Sequence, residues 1–406
     1  MTRWTGSSSR AVRCVGGTVA VAAMTVAASG CAATGDSGGA LTSSPAPVAQ
    51  QVQTVRPSCP AAVPAGWQQA VAASAVDSGG ISTVPLAVDR TGEVVAVRDN
   101  GDTRDVLLIG ADKSVTDIYA VPDPDRNDVG FAAVDEGWVV LGVDRIPRGA
   151  NGVLPTLTRI DVVDRNGGAV RTVAQSSDED HESGGPTIDS AALFGGKVYW
   201  ITRDTYAGDA GVIRSYDVRT GAVADVASGD MRAVRATAAG LVWDVAWGSD
   251  GPRSEVKIPD TVPAPVTAAL GAGRDTTTLS TDGSAYAWIT GVEQGGTGVA
   301  WWSPGFALVR VTGDVVDVAT AVPPVWVVGP YIVLGKGRAG EPDTSAIVVD
   351  SRSGAVTALT SRLAGHADRV VAADGGTIAM DLWAGPGTVD SVVGLLRSGD
   401  LAPLRC

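Results

Sequence analysis

Apolar and polar residues alternate along most of this chain with a period near two, in short bursts broken by turns rich in Gly and Asp. That is the pattern of strands with one face buried rather than of helices. From about Ile81 onward seven segments share one form, an apolar run, a tight turn and a second apolar run: PLAVDRTGEVVAV, AAVDEGWVVLGV, AALFGGKVYWIT, RATAAGLVWDVA, TLSTDGSAYAWIT, VWVVGPYIVLG and VVAADGGTIAMDL. A second hairpin-like segment follows each: LLIGADKSVTDIYA, RIDVVDRNGGAVRTVA, RSYDVRTGAVADVA, a degenerate EVKIPDTVPAPVTAAL, ALVRVTGDVVDVA, AIVVDSRSGAVTALT and GLLRSGDLAPL. Asp89, Asp135, Asp282 and Asp374 fall at the first turn with Gly close behind, and Gly221 and Gly354 supply the positive φ that the second turn needs.

Two hairpins in succession make a four-stranded antiparallel sheet. Units of this kind at spacings of roughly 40 to 55 residues predict radial repetition. The expected fold is all-β, a seven-bladed β-propeller of four-stranded antiparallel blades with a short N-terminal helix. That helix is GWQQAVAASAVD (Gly66 to Asp77), where Trp67, Val71 and Ala75 fall on one face. The last repeat is expected to supply all four of its own strands.

The first 30 residues follow a different rule. Arg3, Arg10 and Arg13 precede a run of small apolar residues from Val15 to Gly30, with no acid before it, which reads as an export signal. A span would need roughly 20 apolar residues, so the run is too short to cross a bilayer. The residues ASGC (Ala28 to Cys31) resemble the lipobox of bacterial lipoproteins of the actinobacterial type, with Ala28 where Leu is usual. The resemblance implies a signal peptide over 1–30, a lipidated Cys31 as mature N-terminus, and a protein anchored extracytoplasmically to the outer face of the cell membrane. Residues 31–58, beginning CAATGDSGGALTSSPAPVAQ, lack aromatics and periodicity and are expected to be a flexible tether. The propeller is expected to occupy 59–406.

Four cysteines occur in the chain. Cys14 leaves with the signal and Cys31 takes the lipid, so Cys59 and Cys406 remain as a pair in an oxidising compartment and are expected to form a disulfide. With no CxxC pair and two histidines, His181 and His366, these thiols lack a metal-site pattern.

STDGSAYAW (Ser280 to Trp288) and AADGGTIAM (Ala372 to Met380) resemble the Asp-Gly hairpins of TolB-type and WD-like propeller repeats. YDVRTGAV and VDSRSGAV are similar to quinoprotein repeats, but the Trp that follows Thr-Gly there is replaced here by small or aliphatic residues. No cofactor is expected.

The net charge of −13 becomes about −16 without the three signal arginines, which disfavours nucleic acid and leaves the lipid as the only membrane contact. Trp138, Trp200, Trp243, Trp288 and Trp383 lie in or beside second strands and are expected to pack between sheets. The connections opposite the tight turns are long and varied, so that face is the candidate binding surface. Its candidate binding residues are Tyr206 in RDTYAGDAGV and the adjacent Trp301 and Trp302 in GVEQGGTGVAWWSPG. DPDRND has oxygen ligands at Asp123, Asp125, Asn127 and Asp128, yet lacks the Gly and Glu of a calcium loop, and no metal is expected. The acid run around His181 reads as a solvated loop.

No GxSxG elbow occurs in the repeats, so no catalytic residue is assigned. The expected function is a protein- or glycan-binding or scaffold module of the cell envelope. The alternative is a glycoside hydrolase or lyase acting on envelope glycans, with Asp244 and Asp381 as its acids. Exposed indoles would favour the binder, and carboxylates a few ångströms apart the enzyme.

Overall fold

The computed structural model describes residues 54–76, 81–135, 137–145, 157–166, 169–176, 187–203, 210–247, 253–272, 277–291, 297–304, 309–312, 324–335, 346–359, 370–383 and 391–406. The chain divides into residues 1–49 and 50–406, and the described residues all belong to the second unit. Cys31 and Tyr206, the charge run at 178–182, and both histidines lie outside them.

The unit is all-β. Two short strands, β1 (Thr54–Pro57) and β2 (Cys59–Pro60), and helix α1 (Ala65–Ser74) precede the repeats. Array I is β3 (Thr83–Val88), β4 (Val94–Asp99), β5 (Arg104–Ile109) and β6 (Val115–Ala120). Array II is β7 (Asn127–Val134), β8 (Trp138–Arg145), β9 (Leu157–Asp164) and β10 (Arg171–Gln175). Array III is β11 (Thr187–Phe194), β12 (Lys197–Arg203), β13 (Gly211–Asp217) and β14 (Val223–Gly229). Array IV has three strands, β15 (Met231–Thr237), β16 (Gly240–Trp247) and β17 (Arg253–Lys257), followed by helix α2 (Ala264–Ala272). Array V is β18 (Thr277–Thr281), β19 (Tyr286–Gly291), β20 (Thr297–Trp302) and β21 (Val309–Thr312). Array VI is β22 (Val325–Val328), β23 (Tyr331–Gly335), β24 (Ala346–Asp350) and β25 (Ala355–Leu359). Array VII is β26 (Val370–Ala372), β27 (Thr377–Trp383) and β28 (Ser391–Arg397). Within each array consecutive strands pair antiparallel; arrays II and III join as one eight-stranded sheet through the single Leu157–Ile188 pair.

The arrays pack in cyclic order. First strand β3 touches β7, β7 touches β11, and β11 touches β15; β18 packs on array IV and on β22, β26 on β23, and β26 and β27 return to β3. Apolar clusters fill the spaces between neighbours, such as Val95, Val106 and Leu141 between I and II, and Ile289, Trp301, Val327 and Ile332 between V and VI. A cycle of antiparallel sheets with its cores between successive sheets is β-propeller architecture.

Four strands per array hold in only part of the chain. The second hairpin expected in array IV is instead helix α2: Pro263 accepts the amides of Val266 and Thr267, and Val262, Val266 and Leu270 pack against Val242, Val256 and Trp302. Proline in a first helical turn sacrifices no hydrogen bond, so PAPVTAAL starts a helix rather than breaking a strand. Array VII does not supply its own fourth strand, since Gly399 and Asp400 turn the chain into a short 3-10 helix. The outer edge of β28 is closed by the N-terminal segment. Val76 exchanges both backbone bonds with Val393, and the Ser74 hydroxyl donates to Leu395 O and accepts its amide.

That segment also closes two other outer edges, and it includes β1, which lies inside the stretch expected to be tether. β1 adds in parallel to β21, and β2 adds in parallel to β25. Gly354, at φ +77°, permits this approach: a Cβ there would stand 3.1 Å from Pro57 O. α1 then lies on β28, where a Cβ at Gly394 would meet Val71 at 2.9 Å. Cys59 and Cys406 are joined in a disulfide with Cα atoms 5.6 Å apart, which ties β2 to the last residues across 347 positions.

The C-terminal residues are held by side chains from three elements. Trp67 Nε1 donates to Ala402 O at 3.2 Å, and Tyr331 Oη donates to Leu401 O and Ala402 O at 2.9 Å. Asp350 Oδ2 accepts the Leu404 amide at 3.2 Å while Arg352 pairs with the same carboxylate at 2.7 Å. Trp67 is wholly buried and meets Tyr331 edge to face at 5.5 Å. Trp67→Phe, which keeps the ring contact and loses the bond to Ala402, is expected to cost about 1 to 2 kcal/mol in chemical denaturation.

Three outer strands without an N-terminal cover differ in register from two that have one. The outer strands β6, β10 and β14 each carry a one-residue bulge, at Ile118, Val173 and Val226, where their pairing with the inner neighbour slips. β21 and β25, which the N-terminal segment covers, pair without a slip. Bulges keep an edge from templating intermolecular pairing, whereas β21 and β25 are protected by a cover.

Candidate functional site

The first hairpin turns of the arrays share one rim, and their carboxylates serve the turns themselves. Asp89 Oδ1 accepts the Thr91 amide (2.8 Å), the Thr91 hydroxyl (2.7 Å) and the Glu93 amide (2.9 Å). Asp135 Oδ1 accepts the Gly137 and Trp138 amides, and Asp282 Oδ1 those of Ser284 and Ala285. Second-hairpin turns follow suit: Asp112 and Asp217 are held below the usual carboxylate range, by the Ser114 hydroxyl and the Thr220 amide respectively. Arg165 crosses from array II to Glu93 and stands 3.9 Å from Asp89 of array I. Side chains so committed hold the rim rigid and leave little to offer a ligand.

Asp374 departs from this pattern. In array I the Asp89 amide meets Glu93 O and the Gly92 amide meets Asp89 O; in array VII the same two bonds run from Ala373 to Thr377 O and from Gly376 to Ala373 O. Ala373 therefore occupies the place of Asp89, and Asp374 stands one position later, where array I has Arg90. Its carboxylate leaves its own turn and reaches two other arrays. Ser280 Oγ of β18 donates to it at 2.7 and 2.8 Å, and the Val327 amide of β22 at 2.9 Å. Between Thr277 and Ser280 β18 carries a bulge, a device that re-aims the side chains beside it. Burial pushes the Asp374 carboxyl up to about 7, against the opposing pull of the Val327 amide, the Ser280 hydroxyl and Arg90.

The aromatic binding site expected at Trp301 and Trp302 is not formed. Both residues belong to β20, a middle strand, and are 9% and 6% exposed. The strand begins at Thr297, so the indoles alternate across a sheet instead of standing in a loop. Trp301 packs between arrays V and VI, and Trp302 faces array IV with Tyr286 at 5.8 Å. Trp200 and Trp288 are buried, while Trp138 and Trp243 pack part-buried against the clusters; the Trp383 side chain lies outside the described residues.

The two acids named for an enzyme lie in buried second strands of arrays IV and VII. Asp244 is 4% exposed and bound at both oxygens by Arg235, at 2.8 and 2.9 Å, so its carboxylate is engaged within its own array. Asp381 is 2% exposed and stands opposite Val393. Asp123, Asn127 and Asp128 form a compact turn around an arginine: Arg104 donates to Pro124 O and Asn127 O and stands 3.6 Å from Asp128. Among the described residues no group of three or more metal-ligating side chains occurs.

Sequence reasoning missed a buried tie between arrays I and II. Asp161 has no exposure, and its carboxylate accepts Tyr119 Oη (2.6 Å) and Thr172 Oγ1 (2.7 Å) and pairs with Arg159 at 2.7 Å. Burial, followed by the neighbouring Asp161, drives the Tyr119 hydroxyl well above its ordinary value. No local signal marks these residues, which are brought together across 42 positions of sequence.

No protein-family model matches the sequence, and no curated protein matches it. Among solved structures, a chain of the mitotic checkpoint complex is 13% identical with a TM-score of 0.46, over 80% of this chain and 93% of that one. An oligogalacturonate lyase from Vibrio parahaemolyticus is 10% identical with a TM-score of 0.45, over 79% and 95%. The β-propeller domain of the trilobed protease from Pyrococcus furiosus is 8% identical with a TM-score of 0.46, over 81% and 99%.

Proposed function

We propose that the protein is a seven-bladed β-propeller, held at the outer face of the cell membrane by a lipid on Cys31, that works as a binding or scaffold module for an envelope protein or glycan. The observation that carries this reading is the Cys59–Cys406 disulfide at the seam of the ring. Such bonds persist in oxidising compartments outside the cytoplasm, which supports export and gives the apolar run before Cys31 its purpose. Dividing the eight-stranded sheet at its single bridging pair yields seven arrays in cyclic order, which supports the blade count.

Binding is assigned to the face of the longer connections, because the carboxylates of the opposite rim are bound into their own turns or into neighbouring arrays. The engagement of Asp244 by Arg235 favours a binder over a two-carboxylate enzyme.

Changing Cys31→Ser is expected to move the protein from the membrane fraction to the soluble fraction and leave its melting temperature unchanged, since the lipid contributes nothing to the core. Wild-type protein cross-linked before lysis is expected to carry an envelope protein or glycan with it. A soluble wild type with unmodified Cys31 would refute the anchor. Release of shortened oligosaccharides from envelope glycan by the purified protein would replace the binder with a hydrolase or lyase.

A further inference from the structure

We propose that Asp374 is a pH-responsive clasp, a carboxyl group that holds arrays V, VI and VII together more firmly when neutral, so that the closed ring tightens as its surroundings acidify. The geometry is that of a cross-sheet tie. One side chain from the first turn of array VII reaches Ser280 of array V and the Val327 amide of array VI. Gly375 beside it donates its own amide to Val327 O, fixing the turn against β22. The same turn touches array I, where Arg90 O would stand 2.9 Å from a Cβ at Gly376.

The Ser280 hydroxyl and the Val327 amide favour the carboxylate, whereas loss of water around the group favours the neutral acid and outweighs them. Asp374 Oδ2 has the Ser280 hydroxyl at 2.8 Å; on protonation Oδ2–H donates to that oxygen while Oδ1 keeps the Val327 amide, with no heavy atom moving. Asp374 is part-buried, and a charge with restricted access to water costs more to hold than a hydrogen-bonded neutral group. The charged groups bearing on Asp374 are Arg90 from array I, which favours ionisation, and Asp282 from array V, which opposes it. Asp282 Oδ1 is occupied by its own turn, so the second carboxylate stays near the first.

The sign follows from linkage. The folded value near 7 lies above the ordinary 3.8, so the folded state holds a proton that the unfolded chain has released. Stability from this group is fully present below about pH 4 and is lost as pH rises through 7. Asp112 and Asp217, held below their ordinary values, act in the opposite sense but only in more acid solution.

The test is chemical denaturation of the disulfide-intact chain at pH 5 and pH 8, for wild type and Asp374→Asn, which mimics the neutral carboxyl. For the wild type the unfolding equilibrium constant is expected to rise on the order of a hundredfold between the two conditions. Asp374→Asn is expected to flatten that dependence and to exceed the wild type in stability at pH 8. Asp282→Asn is expected to reduce the slope without abolishing it. Equal slopes in wild type and Asp374→Asn overturn the proposal. Carboxyl carbon NMR titration of Asp374 in the wild type gives an answer even if the variant does not fold: a midpoint near 7 supports the clasp, and one below 5 overturns it.

Discussion

Truncating Trp301 and Trp302 together to alanine is expected to unfold the protein at ordinary growth temperatures. Each indole is buried in a different inter-sheet core, Trp301 with Val327 and Ile332 of array VI, Trp302 with Val242 and Trp288 on the side of array IV. Emptying such a site costs about 3 to 5 kcal/mol, for the lost transfer energy and for the cavity left behind. Because the two side chains point to opposite faces of β20, their cavities share few neighbours and the costs should largely add. A sum near 6 to 10 kcal/mol is comparable to the whole stability of a typical domain, about 5 to 15 kcal/mol. Thermal unfolding followed by circular dichroism checks it. A double variant that melts within a few degrees of wild type would return both indoles to the surface and reopen the aromatic binding site.

Replacing Cys59 and Cys406 together by serine has the second largest expected effect. A bond closing a loop of 347 residues restricts the unfolded chain by about 5 kcal/mol in the chain-entropy account, with measured losses typically 2 to 5 kcal/mol. The loss should fall on the seam. β2 holds β25 through few backbone bonds, among them Cys59 N to Gly354 O at 3.2 Å and Ala61 N to Val356 O at 2.8 Å. Hydrogen exchange in the double variant should therefore quicken first at the residues of β2 and at 401–406, while β4, β8 and β12 stay protected. Uniform loss of protection would mean that the bond stabilises the fold without acting as a seam.

The repeats were legible because a hairpin is a local object. Period-two alternation, an Asp or Gly turn and a second run fit within a dozen residues, and the strand pairs Val88–Val94, Val134–Val139 and Ala372–Ile378 lie in the expected segments. The Cys59–Cys406 pairing was legible by elimination among four cysteines. Three features were not. Helix α2 carries its signal, Val262, Val266 and Leu270 four apart, but three prolines in the same stretch read as strand breakers. The fates of Trp301 and Trp302 turned on where β20 starts, a boundary of a few residues that decides between a loop and a middle strand. Closure of the outer edges by residues 54–76 was hidden because it depends on contacts some 250 to 330 positions away, and TVRPSCP carries almost no alternation to announce it. Asp374 shows the same limit at finer scale. Its Asp-Gly looks like that of the other turns, and only the hydrogen-bond register places it one residue later, where a carboxylate reaches across sheets.

The central claim is a propeller sealed at its seam and anchored by a lipid. One measurement reads both: mass spectrometry of non-reduced peptides from protein extracted out of the envelope. The account predicts a mature chain that begins at Cys31 bearing a lipid, with Cys59 and Cys406 recovered as one cross-linked peptide. A chain that retains residues 1–30, with Cys31 unmodified and Cys59 and Cys406 as free thiols, would contradict it.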